Sequence, residues 1–230
     1  MYGYYFDPTY ILVLLGAGLA MYAQHKVQST FAKYDELETR FRITGNQAAR
    51  EILQQSNLHD VRVEHINGHL TDHYDPRNKV LRLSDATDKS TSIAAVAVAA
   101  HECGHAVQDA KGYVPLRIRS FLVSVTQFGS TLALPMIFIG LAMGWMGLVN
   151  VGIIAFALVL AFQLVTLPVE FDASNRAMAI IEQQQLLAPE ELQAARKVLN
   201  AAALTYVAST ISTALQLLRF ILIANSRRRD

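Results

Sequence analysis

Fifty consecutive residues, from Ser120 to Val169, contain no Asp, Glu, Lys, Arg or His. As helix they would extend about 75 Å at 1.5 Å per residue. One crossing of a roughly 30 Å hydrocarbon layer needs about 20 residues. The stretch therefore fits two crossings joined by a short turn. The expected spans are residues 121–145 and 151–168, with the turn at MGLVN, 146–150. Trp145 stands at the turn, a position that suits an interfacial indole. Pro135 is expected to kink the first span. Ser124, Thr126, Gln127, Ser130 and Thr131 mark a face that meets protein rather than lipid. A buried helical hairpin in a soluble protein is the competing reading, but soluble cores rarely stay free of charge for so long.

The rest of the chain is of two kinds. Thr9 to Ala23 is a shorter apolar run, flanked by Tyr4, Tyr5, Phe6 and Tyr22 and followed by Lys26. It lacks the basic start of a signal peptide, so residues 1–24 read as an N-terminal membrane anchor. Residues 25–120 are polar. Lys33 to Asn57 reads as a charged amphipathic helical segment with a break at Gly45. Asn67-Gly68 is a hairpin signal and Asp75-Pro76-Arg77-Asn78 a second turn, which together predict an antiparallel β-meander of about 61–66, 69–74 and 79–83. Asp88, Ser90 or Thr91 can cap a helix that starts near Ser92 and ends at Gly112 and Pro115. Beyond Glu170 helix resumes to about Gln185, and Pro189-Glu190-Glu191 opens another. Residues 201–224 either cross the membrane or lie along its surface; Thr205, Ser209, Ser212, Gln216 and Arg219 share one side. The predicted fold is thus a mainly α integral membrane protein with a small β-meander. Its parts are an anchor (1–24), a polar catalytic domain (25–120), a transmembrane hairpin (121–169), a pair of helices completing the site (170–200), and a C-terminal helix with a basic tail (201–230).

With 20 Lys+Arg against 19 Asp+Glu, the net charge is +1 and excludes a strongly basic nucleic-acid binder. Arg227, Arg228 and Arg229 read as a topology or lipid signal instead. The single cysteine, Cys103, excludes an intramolecular disulfide and a thiolate cage.

His101-Glu102-Cys103-Gly104-His105 is H-E-x-x-H. On a helix, residues i and i+4 share a face, and two imidazoles placed there can hold one zinc ion. Glu102 lies about 100° round the helix, where it can take a proton from a zinc-bound water. A catalytic zinc usually takes three protein ligands. Glu170, the first charge after the apolar stretch, is the candidate third, since a carboxylate at the lip of a span needs a reason to be there. If the three converge, the hairpin must return to the side it left, which again gives two crossings. Cys103 should face away as a small core residue. His59, His65, His69 and His73 imitate a second cluster, but alternation along a hairpin would scatter them.

HECGH after DHYDP…VLRLS, the charge-free hairpin, LPVEFDASNRA and a final LTYVA together resemble the YugP-type family of bacterial membrane-bound neutral zinc metallopeptidases. The likeness spans essentially the whole chain. More distantly, the pattern is similar to HtpX-type and CAAX-prenyl-protease-type enzymes of the gluzincin group, with their zincin-like helix. The resemblance implies one Zn2+ per chain held by His101, His105 and Glu170, Glu102 as general base, and peptide hydrolysis. In those relatives an Asp often stands four residues after the ligand Glu and supports a histidine. Ser174 stands there in this chain, so Ser174, Asp172 or Asn175 is left to serve. Arg176, Tyr206 and His73 are the candidates for stabilising the oxyanion. The strand at 79–83 is expected to offer an edge to an extended substrate.

The implied function is a zinc metalloendopeptidase acting on membrane or membrane-proximal proteins and peptides, in contact with the bilayer and not with nucleic acid. Lys26, Lys33, Arg40, Arg42, Arg117 and Arg119 place the polar region, and with it the zinc site, on the cytoplasmic face of a bacterial inner membrane. Four spans would leave Arg227–Arg229 outside; three would not. Two other functions are consistent with parts of the pattern. A catalytically silent scaffold could keep a structural zinc. A metal transporter should instead carry its ligands inside apolar spans, whereas His101 and His105 lie between Asp88, Lys89, Asp109 and Lys111.

Overall fold

The computed structural model describes residues 7–227, the side chains of 124, 125 and 128 excepted. Tyr4, Tyr5, Phe6, Arg228, Arg229 and the side chain of Ser124 therefore lie outside the described residues. The elements run α1 (Tyr10–Asp35), α2 (Gly45–Gln55), β1 (Arg62–Ile66), β2 (His73–Asp75), β3 (Val80–Ser84), α3 (Asp85–Asp88), α4 (Ile93–Ala110), α5 (Val114–Met143), α6 (Met146–Gln183) and α7 (Leu192–Ser226). The chain is mainly α with one small sheet, and it divides into two compact units.

The first unit comprises residues 1–24, 118–167 and 205–230. Its helical segments are apolar on their outsides. α6 and α7 are each long and apolar enough to cross a membrane, with mean hydropathy of 2.5 and 1.7 in their most apolar windows. Only 11% of that window of α6 is buried within the protein, which is not the burial of a soluble core helix. The apolar part of α5 is shorter, Gly129–Met143. Small residues let the segments approach. A Cβ on Gly152 would lie 2.9 Å from the Ala133 carbonyl oxygen. The polar side of α7 is used inside the unit. Ser212 Oγ donates to the Gly16 carbonyl, Gln163 donates to Ser209 Oγ, and Arg219 reaches Asp7 and lies over the Tyr10 ring. Arg227 donates to the Leu141 carbonyl.

The turn between α5 and α6 falls at Gly144-Trp145, not at 146–150 as the sequence suggested. Gly144 takes φ +68°, and the Trp145 N–H bonds back to the Gly140 carbonyl. That is a helix-terminating glycine motif, so α6 can begin at once with Met146. Trp145 is exposed there.

The second unit comprises residues 25–117 and 168–204. Its core gathers Phe31, Ile52, Leu81, Leu83, Val96, Ala100 and Ile181 around the inner face of α4. The helical segment expected over 33–57, with its break at Gly45, is two helices separated by residues 36–44. α1 ends at Asp35, and α2 starts after Thr44, which forms a capping box with Gln47. Ser92 is itself the N-cap of α4, accepting from the Ala95 N–H. Gly112 at φ +64° ends that helix, with the Tyr113 N–H bonded to the Gln108 carbonyl.

The sheet is three-stranded as expected, but it is not an antiparallel meander. Its order is β1-β3-β2, with β1 parallel to β3 and β2 antiparallel to it. Two carboxylates divert the chain after Asn67-Gly68. Asp85 accepts the Gly68 N–H, and Asp72 accepts both the N–H and the hydroxyl of Ser84. The most apolar strand, β3, then takes the centre with Val80, Leu81 and Leu83 buried. β3 is therefore no edge for a substrate; the edges are β1 and β2.

Candidate metal centre

α4 and α6 meet closely at the site because Gly104 has no side chain. A Cβ there would lie 2.5 Å from the Ala173 carbonyl oxygen, well inside contact distance. That approach brings His101 and His105 on α4 to Glu170 on α6. His101 Nε2 lies 3.3 Å and His105 Nε2 3.6 Å from the same Glu170 oxygen. The two rings are 4.8 Å apart, nearly perpendicular. All three ligand-type atoms lie within 4.8 Å of one another.

These residues fit zinc by a geometric test. Ligands about 2.0–2.1 Å from a tetrahedral ion stand about 3.3 Å from each other. The two separations to Glu170 are close to that edge, and within a set spanning 4.8 Å the two imidazoles would draw together round the ion. The donors are two imidazole nitrogens and one carboxylate oxygen, a set that suits zinc and leaves a fourth position open. Glu170 is 2% exposed, and a carboxylate so buried calls for a compensating cation or proton.

Each histidine is held through its other nitrogen. His101 Nδ1 meets Ser174 Oγ at 3.1 Å. His105 Nδ1 meets Gln108 Oε1 at 3.0 Å. The Gln108 amide nitrogen donates to the Val169 carbonyl and to Asp172 Oδ2. Both of those partners can only accept, so the amide has one possible orientation. Its oxygen must face His105, so His105 Nδ1 donates to it and Nε2 is left to face Glu170. Gln108 is fully buried, and it links α4 to α6 on both sides of Glu170.

Sequence reasoning missed Gln108. A glutamine in a helix interior is unremarkable, and only its spacing of three from His105 hinted at a role. Of the three expected supports, Ser174 reaches a histidine directly. Asp172 acts through Gln108 and also pairs with Arg176. Asn175 is exposed, turned away from the face that carries Glu170 and Ser174.

Glu102 is buried beside the two histidines and accepts the N–H of Tyr74 in β2. Burial pushes its carboxyl up to about 7, against an opposing pull from His101. Two bonds hold β2 and the turn that follows it beside α4. Tyr74 donates to Asp109 through its hydroxyl, and Lys79 pairs with the same carboxylate. Burial and the Asp109 carboxylate together raise the Tyr74 phenol well above its usual range.

The three oxyanion candidates have different fates. Arg176 is engaged with Asp172 and lies over the Tyr113 ring. His73 bonds to the Thr71 carbonyl and meets Arg82. Tyr206 belongs to the apolar unit and is partly exposed. The other histidines do not form a second centre among the described residues. His65 pairs with Asp85, His69 packs edge-on against Phe31, and His59 is exposed. Cys103 is buried against the Ala49 carbonyl, as expected of a core residue.

A family model described as "Putative neutral zinc metallopeptidase" matches residues 9–225. The chain belongs to this family. It is 44% identical over 213 residues to the "Putative membrane protease YugP" of Bacillus subtilis (strain 168), an overlap covering 92% of this chain and 94% of that one. No solved structure matches it. Family membership makes zinc the implied metal, and the His101, His105 and Glu170 cluster is where the donor set for it occurs.

Proposed function

We propose that the chain is a membrane-embedded zinc endopeptidase that cleaves membrane or membrane-proximal polypeptides. The observation that carries this reading is the approach of two imidazole Nε2 atoms to one Glu170 oxygen, with Glu102 beside them. His101, His105 and Glu170 would hold the ion. Bound zinc supplies a Lewis acid for the scissile carbonyl and lowers the pKa of water to about 7.

The protein's own groups carry the proton. Glu102 accepts it from the attacking water and delivers it to the leaving amine. Burial favours the protonated form of Glu102, which helps it take up the proton, and release would be favoured beside the cation. Ser174 and Gln108 orient the imidazoles. Asp172 and Arg176 brace Gln108 from behind. β2, the edge strand whose Tyr74 N–H touches Glu102, is the strand an extended substrate would line up against. Among the oxyanion candidates, His73 on that strand and Arg176 share the polar unit with Glu102.

In this reading the protein is multi-pass, in a bacterial cytoplasmic membrane, with the zinc site on the cytoplasmic side. The apolar unit supports four spans, since segments of α1, α5, α6 and α7 all contribute to it. The test is the Glu102→Gln variant with an unstructured peptide tethered to a membrane span. The variant should keep one zinc per chain and lose hydrolysis by at least a hundredfold. Undiminished cleavage would remove Glu102 from the mechanism. Absence of chelator-sensitive cleavage by the native protein would favour a silent scaffold.

A further inference from the structure

A groove of about 590 Å³ opens between α1 and α7 in the polar unit. Lys26, Ser29 and Lys33 line it from α1, at positions i, i+3 and i+7. Lys197, Asn200 and Leu204 line it from α7 at the same spacing. Two helices therefore turn matching faces toward one cavity. Thr30, Tyr34 and Ala201 are buried at its floor, and Lys26, Lys33 and Lys197 stand exposed at its rim. Here three ammonium groups share the cavity and no carboxylate lines it. None of the three lysines is ion-paired among the described residues. Like charges gathered without a counter-charge repel, and a bound anion would relieve that cost.

The position along each helix narrows the anion. Lys26 is one turn beyond Ala23, where the N-terminal apolar run ends. Leu204 directly precedes the last apolar segment, which begins at 205. The ammonium, hydroxyl and amide donors suit phosphate oxygens, and Leu204 offers an apolar contact to glycerol or acyl carbons. We propose that this groove binds the phosphate headgroup of an anionic phospholipid. The site uses none of the residues of the metal centre. It rests on membrane association and not on the zinc reading.

The experiment uses the full chain in a neutral detergent, with thermal unfolding followed against added short-chain lipid. Dioctanoyl phosphatidylglycerol should raise the unfolding temperature saturably, and dioctanoyl phosphatidylcholine should not. The triple variant K26Q/K33Q/K197Q should unfold like the native protein without lipid and need on the order of a hundredfold more phosphatidylglycerol for the same rise. The charge-keeping K26R/K33R/K197R should respond like the native protein. Inorganic phosphate acting as well as the lipid at equal concentration would overturn the lipid assignment. So would an undiminished response in K26Q/K33Q/K197Q. An equal loss of response in K89Q/K111Q/R196Q, which removes the same charge elsewhere, would also overturn the site.

Discussion

In the metal-free protein Glu102 is held near 7 by burial, against an ordinary value of 4.5. Between those two values the folded chain binds more protons than the unfolded one. Stability must therefore fall as pH rises from about 4.5 to about 7. Glu102→Gln removes that dependence. With metal stripped, the variant should unfold at a higher temperature than the native protein at pH 8, by up to about 3 kcal/mol in free energy. The gap should close below about pH 4.5; a gap of equal size at both pH values would contradict the burial argument. Gln108 gives the second test at this scale. Replacing it with leucine leaves His105 Nδ1 and the Val169 carbonyl without their partner. Zinc affinity, measured by competition with a chromogenic chelator, should drop about 10–100-fold while the helical content is unchanged. The sequence made His101, Glu102 and His105 legible because helical spacing alone aligns them. It made Glu170 legible because a charge ending so long an apolar stretch stands out. Gln108 was invisible because its partners lie on another helix, and nothing local distinguishes it from any helix-forming residue.

Among the elements, the contact of α4 with α6 decides the site. Gly104 stands inside the H-E-x-x-H segment, and a methyl there would meet backbone rather than a yielding side chain. Gly104→Ala should therefore separate the two helices. Zinc binding should weaken by at least tenfold, although alanine is the better helix former. Unchanged zinc affinity in a folded Gly104→Ala protein would show that the close approach is not needed. Helix ends were readable where the chain turns left-handed, as at Gly112 and near Gln185, while the cap of α4 is Ser92 and not Asp88, Ser90 or Thr91. The sheet was not. Asn67-Gly68 satisfies every local requirement of a hairpin, but Asp85 and Asp72 bind the chain beyond it to β3 and α3. A local turn signal says where the chain bends, not which strand it will lie beside.

For the whole molecule, the apolar unit makes its own statement about topology. Asp7 meets Arg219, and Arg227 meets the carbonyl of Leu141, close to the Gly144-Trp145 turn. The start of α1, the end of α7 and the α5–α6 turn therefore gather at one end of that unit. Reporter fusions at the two termini should label the same side of the membrane, and a reporter inserted at Gly144 should agree with them. Fusions on opposite sides would rule out four spans. Length and hydropathy carried this much in the sequence, but the choice between three spans and four did not follow from them. It depends on partners such as Ser212 with Gly16, which lie at opposite ends of the chain. The division into units has a practical outcome. The chain passes from one unit to the other four times, after residues 24, 117, 167 and 204. No single scission sheds the polar half as a free fragment, and no one contiguous stretch of the gene encodes it. Whatever chemistry the polar unit performs, it stays covalently tied to the apolar unit at four places.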